Sequence, residues 1–104
     1  MGSFDGKKGL IFGVANERSI AWAIAKAILD QGGQCGITHL PDKPGDAKQK
    51  NRRRVSKLTD EYPGAKFLVP MDVQKDADIT AAVERGVEEF GTFDFVLHSI
   101  AFAV

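Results

Sequence analysis

The stretch GLIFGVANERSIA, residues 9–21, joins a short apolar run to one glycine and the start of a helical pattern. Its first four residues have the length and the branched and aromatic content of a buried β-strand. From Ile20 onward, three isoleucines recur at every fourth position and a glycine pair at Gly32 follows, which is the pattern of a helix with a glycine stop. We therefore predict a strand, a turn over residues 13–19, and a helix.

The same alternation of strand and helix continues along the chain. Runs of strand length follow at residues 34–38, 66–69 and 93–98. The helical pattern between the second and third runs has no clear start and ends at Pro63-Gly64, whereas the last pattern has Asp76 as its predicted cap and ends before Gly91. The order βαβαβαβ predicts an α/β fold with a doubly wound, Rossmann-like parallel sheet.

If the first strand is central, the predicted strand order is 3-2-1-4. The fourth strand then lacks an outer neighbour, which a complete dinucleotide-binding fold supplies with two further strands. We therefore expect residues 1–104 to be the N-terminal dinucleotide-binding part of a single Rossmann-fold domain, truncated after strand 4.

Composition excludes several classes of function. The 104 residues carry 14 Lys and Arg against 14 Asp and Glu, so the basic surplus of a nucleic-acid binder is missing. No apolar stretch has the roughly 20 residues that span a bilayer, and the first residues do not resemble a targeting segment. The single Cys35 fits a reducing cytosol, and no cluster of metal ligands is apparent. We expect a cytoplasmic protein with no nucleic-acid, membrane or metal partner.

The turn after the first strand is the expected ligand site, because ligands of doubly wound sheets lie beyond the carboxyl ends of the strands. Only Gly13 remains of the usual three-glycine pyrophosphate fingerprint. Ser19 stands at the start of the helix, where a hydroxyl and unpaired N–H groups can meet a phosphate. The alternative is that Ser19 is only an N-cap and Gly13 only a turn glycine.

Four separate motifs carry a resemblance to a known family. They are Gly13, the helix start Ser19-Ile20-Ala21, the pair Asp72-Val73 after the third strand, and the segment His98-Ser99-Ile100-Ala101-Phe102 at the end of the fourth. Together they resemble the enoyl-acyl-carrier-protein reductases, the divergent branch of the short-chain dehydrogenase/reductases. The resemblance implies hydride transfer from NADH to an enoyl thioester on acyl carrier protein, in fatty acid biosynthesis, by a homotetramer.

The resemblance also implies roles for individual residues. Gly13 would let the backbone pass close to the dinucleotide, and Ser19 with Ile20 would meet its pyrophosphate. On the adenosine side, Leu40 would face the nucleoside, Asp72 would accept a hydrogen bond from the adenine amino group, and Val73 would pack on the ring. The remaining assignments are Ser99, Ile100 and Ala101 beside the ribose and nicotinamide, and Phe102 at the start of the acyl pocket. Position 101 is often glycine in the family.

The choice between NADH and NADPH depends on the end of the second strand. No carboxylate follows Thr38-His39-Leu40 until Asp42, and the basic residues between Lys48 and Arg54 could neutralise a 2′-phosphate. We favour the alternative that this cluster is a solvated helix face, and we predict NAD(H) rather than NADP(H).

No catalytic residue is predicted within these 104 residues. The family's Tyr-x6-Lys pair belongs after the fourth strand. Tyr62 and Lys66 have the spacing of ordinary short-chain dehydrogenases, but Pro63-Gly64 breaks the helix that such a pair requires. We therefore predict that this chain alone is inactive. We interpret Trp22 and His98 as structural residues, and we favour an exposed His39 over one that stacks on adenine.

Two other functions stay open at this point. The chain could be a stand-alone nucleotide-binding module without chemistry, or part of a carbonyl-reducing short-chain dehydrogenase. The segment His98 to Ala101 stands where carbonyl reductases carry a stretch like Asn-Asn-Ala-Gly, and this difference favours the enoyl branch.

Overall fold

In the computed structural model, which describes residues 2–72 and 74–98, four β-strands alternate with three α-helices. Their bounds are β1 Lys8–Phe12, α1 Ile20–Asp30, β2 Gln34–His39, α2 Lys50–Thr59, β3 Ala65–Pro70, α3 Asp76–Phe90 and β4 Phe95–His98. The predicted βαβαβαβ order is confirmed.

The strands form one parallel sheet in the order β3-β2-β1-β4, as predicted. The chain moves outward from β1 through β2 to β3 and then crosses back to β4 on the other side of β1. The direction of winding therefore reverses between β1 and β4, and the carboxyl ends of all four strands lie along one edge of the sheet.

Two hydrophobic cores lie on opposite faces of the sheet. On β1, Ile11 belongs to the core under α1 and α2, whereas Leu10 and Phe12 belong to the core under α3. This division follows from the alternation of side chains along a strand. Because both faces of β1 are buried from Gly9 onward, the strand carries no polar side chain after Lys8.

The buried face of α1 differs from its isoleucine stripe. The side chains that face the sheet are those of Ala21, Trp22, Ala25 and Ile28, whereas Ile20 and Ile24 are exposed. Small alanines allow a close approach of the helix, and the indole of Trp22 meets the ring of Tyr62 edge to face at 5.6 Å. The prediction that Trp22 is a packing residue is confirmed.

Several predicted boundaries were wrong by a few residues. β1, β2 and β3 extend one residue further than predicted at one or both ends, and α2 ends at Thr59, before Pro63-Gly64. β4 begins at Phe95 rather than residue 93, and the Asp94 carboxylate just before it accepts a hydrogen bond from the Lys8 N–H at 2.9 Å. α3 has Lys75 at its N-cap, so Asp76 lies in the first turn instead of capping it. In the first turn its negative charge still interacts favourably with the positive end of the helix dipole.

Within the described ranges, the helices are too short or too polar for any of them to span a bilayer.

Candidate functional site

The candidate site lies along the carboxyl edge of the sheet. Gly13 follows β1, Leu40 follows β2 and Asp72 comes two residues after the end of β3, so three of the predicted cofactor residues share this edge. The turn from β1 into α1, residues 13–19, occupies its centre, next to the position where the winding reverses. This is where doubly wound sheets bind their ligands.

Gly13 has a backbone conformation that favours glycine. Its φ is +93°, in the region that a β-carbon makes costly. Its N–H donates to the Thr38 hydroxyl oxygen at 3.0 Å, and the next N–H, that of Val14, donates to the Thr38 carbonyl at 3.1 Å. The start of the turn is therefore bonded to the end of β2.

Ser19 occupies the N-cap position of α1, but its hydroxyl does not cap the helix. The hydroxyl oxygen accepts hydrogen bonds from Ala15 N–H at 2.9 Å and Asn16 N–H at 3.0 Å, both in the preceding turn. Ser19 is therefore the N-cap of α1 by position, as the alternative predicts, but its side chain does not cap the helix.

The first turn of α1 remains available to an anion. It has no side-chain cap and contains no acidic residue. The first helical bond runs from Ala23 N–H to the Ser19 carbonyl, so the N–H groups of residues 20–22 precede the helical bonding pattern. Such groups carry the partial positive charge of a helix start and attract negatively charged oxygens.

Two large apolar side chains are exposed at this edge. Ile20, in the first turn of α1, is 71% exposed, and Leu40, just after β2, is 62% exposed. Both were predicted to contact the cofactor. Each presents apolar surface that a ligand could cover.

Asp72 takes part in a turn before α3. Its Oδ1 accepts a hydrogen bond from Gln74 N–H at 2.9 Å, and its own N–H donates to the Asp78 carboxylate at 2.9 Å. The alternative in which Asp72 caps a turn is therefore correct for its Oδ1. Its Oδ2 has no hydrogen-bond partner within residues 2–72 and 74–98, so one carboxylate oxygen is available to a ligand.

His39, the last residue of β2, is 2% exposed. Its Nδ1 lies 2.8 Å from the Leu40 carbonyl, which can only accept, so Nδ1 carries a hydrogen and Nε2 of the neutral ring is an acceptor. No described residue donates to Nε2. Burial lowers the pKa of His39, and nearby Arg52 lowers it further, whereas the Leu40 carbonyl and Asp42 act in the opposite direction. The prediction that His39 is exposed was therefore wrong, because the ring is buried at the end of β2.

Two carboxylates of the segment between β2 and α2 accept hydrogen bonds from N–H groups around the start of α2. The Asp42 carboxylate accepts hydrogen bonds from Asn51 N–H at 2.6 Å and Arg52 N–H at 3.3 Å, and Asp46 binds the preceding N–H groups. Asp42 is therefore already engaged by the helix.

The basic cluster around α2 is mainly a solvent-exposed surface. Arg53 and Arg54 are exposed, and the Arg52 guanidinium donates to the Leu68 carbonyl on β3 at 3.1 Å. Beside Arg52 a shallow recess of about 330 Å³ is lined by His39, Pro41, Asp42, Gln49, Arg52 and Pro70. The Asp42 carboxylate in this recess reduces its attraction for a further anion.

Tyr62 and Lys66 do not share a helical face. α2 ends at Thr59, Tyr62 packs on Trp22, and Lys66 lies on β3. The break at Pro63-Gly64 thus has the predicted effect. In the part of the chain that the structure covers, no three His, Cys, Asp or Glu residues come together as metal ligands.

Five of the predicted site residues, Val73, Ser99, Ile100, Ala101 and Phe102, lie outside the described residues. The sequence analysis missed Thr38, which is 1% exposed and holds the turn through two hydrogen bonds. A hydroxyl-bearing residue at the end of a buried strand was the available signal, because a buried hydroxyl requires a partner.

Known proteins with similar sequences share one description. A family model described as "Enoyl-(Acyl carrier protein) reductase" matches residues 13–104. The enoyl-[acyl-carrier-protein] reductase [NADH] 2 of Rhizobium meliloti is 39% identical over 102 residues, which are 98% of this chain and 35% of that protein. The corresponding protein FabI [NADH] of a Nostoc species is 39% identical over 98 residues, covering 94% and 36% of the two chains.

Solved structures agree with these sequence matches. A reductase from Anaplasma phagocytophilum, crystallised in complex with NAD, has 38% identity and a TM-score of 0.82 over 97% of this chain and 36% of that one. FabI from Candidatus Liberibacter asiaticus has 34% identity and a TM-score of 0.85 over 100% and 37%. The chain thus spans about a third of the length of these relatives. Because the family model covers most of its residues, the chain belongs to the enoyl-(acyl carrier protein) reductase family.

Proposed function

We propose that this chain is the cofactor-binding part of an NADH-dependent enoyl-[acyl-carrier-protein] reductase, an oxidoreductase of fatty acid biosynthesis. The observation that carries the proposal is the orientation of Ser19. Because its hydroxyl oxygen accepts hydrogen bonds from the preceding turn, the first turn of α1 is left for a negatively charged ligand.

The pyrophosphate of the dinucleotide would bind between Gly13 and the start of α1. The Ser19 hydroxyl has one donor and two acceptor positions, and both acceptor positions are already used. Its hydrogen is therefore left to donate to a phosphate oxygen. The N–H groups of Ile20 and Ala21 add donors at the positive end of the helix.

The adenosine half would lie across the ends of β2 and β3. Leu40 offers an exposed apolar surface for the nucleoside, and Asp72 keeps one oxygen to accept from the adenine amino group. Asp42 and Arg52 both line the neighbouring recess, and the Asp42 carboxylate there lowers the attraction for a 2′-phosphate, which supports NADH over NADPH. Val73 would add a contact to the adenine ring.

When bound, the dinucleotide supplies the hydride that reduces the double bond of the enoyl thioester. The residues of this chain bind and orient the cofactor, Ser99, Ile100 and Ala101 would line its ribose and nicotinamide, and Phe102 would border the acyl chain. We infer that the substrate is carried on acyl carrier protein, that the protein is a cytoplasmic homo-oligomer, and that residues 1–104 alone have no reductase activity.

The first experiment measures NADH binding and enoyl reduction by the complete polypeptide that contains these residues. We expect NADH to bind and to be consumed when a crotonyl thioester is added. Binding without consumption of either enoyl or carbonyl substrates would favour a non-catalytic nucleotide-binding module. Consumption with a carbonyl substrate alone would favour an ordinary short-chain reductase.

The variant Ser19→Ala tests the site itself. Loss of a hydrogen bond to a charged group costs about 1.5–3 kcal/mol, which is roughly a ten- to hundredfold rise in Kd for NADH. Ser56→Ala is the matched control, because among the described residues the Ser56 hydroxyl hydrogen-bonds only to the Asp60 carboxylate, within and just after α2. Equal Kd values for the two variants would contradict the proposed site.

A further inference from the structure

Thr38, near the carboxyl end of β2, holds two successive N–H groups of the turn at residues 13–19. Its side-chain oxygen accepts from Gly13 at 3.0 Å and its carbonyl oxygen accepts from Val14 at 3.1 Å. The residue is 1% exposed, so neither acceptor competes with bulk water. Of these two bonds, only the bond to Gly13 requires a hydroxyl side chain.

These bonds are the turn's hydrogen-bonded connection to the sheet. Among the described residues, the other hydrogen bonds of the turn are internal or lead into α1: Ala15 and Asn16 donate to the Ser19 hydroxyl, Arg18 donates to the Asn16 side chain, Ser19 donates to the Asn16 carbonyl, and Ala23 donates to the Ser19 carbonyl. Within the described residues, Thr38 therefore supplies the hydrogen bonds that tie this loop to the strands, while the buried Val14 side chain packs in the core under α1 and α2.

We propose that Thr38 is a positioning residue for dinucleotide binding, acting through its hydroxyl on the peptide group of Gly13. The inference rests on the proposed function. Gly13 has a φ of +93° and can adopt several backbone conformations, so a fixed acceptor on its N–H selects the conformation that the turn needs. A turn that is held before binding loses less conformational entropy when the ligand arrives.

The test compares Thr38→Val with Thr38→Ser in the complete polypeptide. Valine keeps the shape of threonine but offers no acceptor, whereas serine keeps the hydroxyl and removes a methyl group. We expect Thr38→Val to raise the Kd for NADH about tenfold. We expect Thr38→Ser to stay within about threefold of the unsubstituted protein.

A purely structural role of Thr38 would give a different result. In that case the two variants would change Kd in proportion to their loss of stability, which is measured in parallel by urea unfolding. Hydrogen exchange of the Gly13 N–H adds a direct readout, and it should accelerate in Thr38→Val and remain slow in Thr38→Ser. Thr59→Val is the control, because the Thr59 hydroxyl donates to the Ser56 carbonyl within α2.

The outcomes distinguish a failure of the proposed function from a failure of the proposed role of Thr38. If the unsubstituted protein does not bind NADH, the proposed function fails and this inference fails with it. If it binds NADH and Thr38→Val binds equally well, or if Thr38→Ser binds as weakly as Thr38→Val, only the role of Thr38 is overturned. Should Thr38→Val not fold, Thr38→Ala replaces it, with the same expected rise in Kd and the same rescue by serine.

Discussion

The ring of Phe67 on β3 lies directly against the backbone of Gly36 on β2. At this position the register of the two strands shifts: Cys35 pairs with Ala65, but Gly36 pairs with Phe67. Lys66 is the extra residue of this bulge. The shift places the Phe67 side chain in the core under α3, where Arg85 lies over the ring at 4.7 Å from its centre.

The substitution Gly36→Ala should therefore destabilise the protein. A β-carbon at residue 36 would overlap the Phe67 ring, and the buried ring has little room to move. Overpacking of this kind lowers the free energy of unfolding by roughly 1–3 kcal/mol, which urea denaturation measures directly.

A double substitution checks the cause. Phe67→Leu removes the ring that alanine would meet, so Gly36→Ala should cost less in the Phe67→Leu background than in the unsubstituted protein. If the two costs were simply additive, contact with this ring would not be the reason for the loss.

Much of the fold followed from the sequence because the strands are apolar runs separated by clear helix stops. Right-handed crossovers then left few possible strand orders, and β3-β2-β1-β4 was among them. The bulge at Lys66 was not predictable, since a run such as Lys66 to Val69 does not define its register with β2. The buried face of α1 was also missed, because Trp22 and two alanines face the sheet while Ile20 and Ile24 are exposed.

The site could be located but not fully described from the sequence. A turn after the first strand must lie at the carboxyl edge of the sheet, so Gly13 and Ser19 were placed there by topology alone. The backward orientation of the Ser19 hydroxyl and the bonds from the turn to Thr38 depend on how two distant segments meet. No local pattern encodes those contacts.

The variant Gly13→Ala should reduce both stability and cofactor binding. With φ at +93°, a β-carbon costs about 1–2 kcal/mol in the free energy of unfolding. We also expect the Kd for NADH to rise at least severalfold, because the strained residue adjoins the proposed pyrophosphate site.

Gly91→Ala separates these two effects. Gly91 also has a positive φ, +79°, and open space around it, but it lies between α3 and β4 at the opposite end of the sheet. Its substitution should lower stability by a similar amount and leave NADH binding unchanged. A loss of NADH affinity in Gly91→Ala equal to that in Gly13→Ala would refute a local role for Gly13.

Cys35 should be unreactive in the folded protein. It is fully buried in the core under α1 and α2, and burial raises the pKa of its thiol to about 12. Because the thiolate is the reactive form, iodoacetamide at pH 8 should leave Cys35 unmodified until the protein is unfolded in urea. Peptide mapping by mass spectrometry identifies the site, and rapid labelling of Cys35 under native conditions would contradict its burial.

His39 should make stability depend on pH in a defined direction. Burial lowers its pKa in the folded protein below the ordinary value of 6.5, so the unfolded chain binds the proton more readily. The free energy of unfolding should therefore fall as the pH drops through about 6.5. The contribution of His39 to this fall should end below the pKa of His39 in the folded protein. Burial disfavours the charged ring, and protonation would also place a hydrogen on Nε2, for which no described residue provides an acceptor.

The variant His39→Phe isolates this contribution from that of the carboxylates. Phenylalanine fills the same buried space but cannot bind a proton, and the remaining groups nearby, Asp42 and Arg52, are unchanged. Urea denaturation of both proteins between about pH 7.5 and pH 5 should show that the unsubstituted protein loses stability relative to His39→Phe as the pH falls. A difference in unfolding free energy that is constant across this range would mean that His39 has the same pKa in both states.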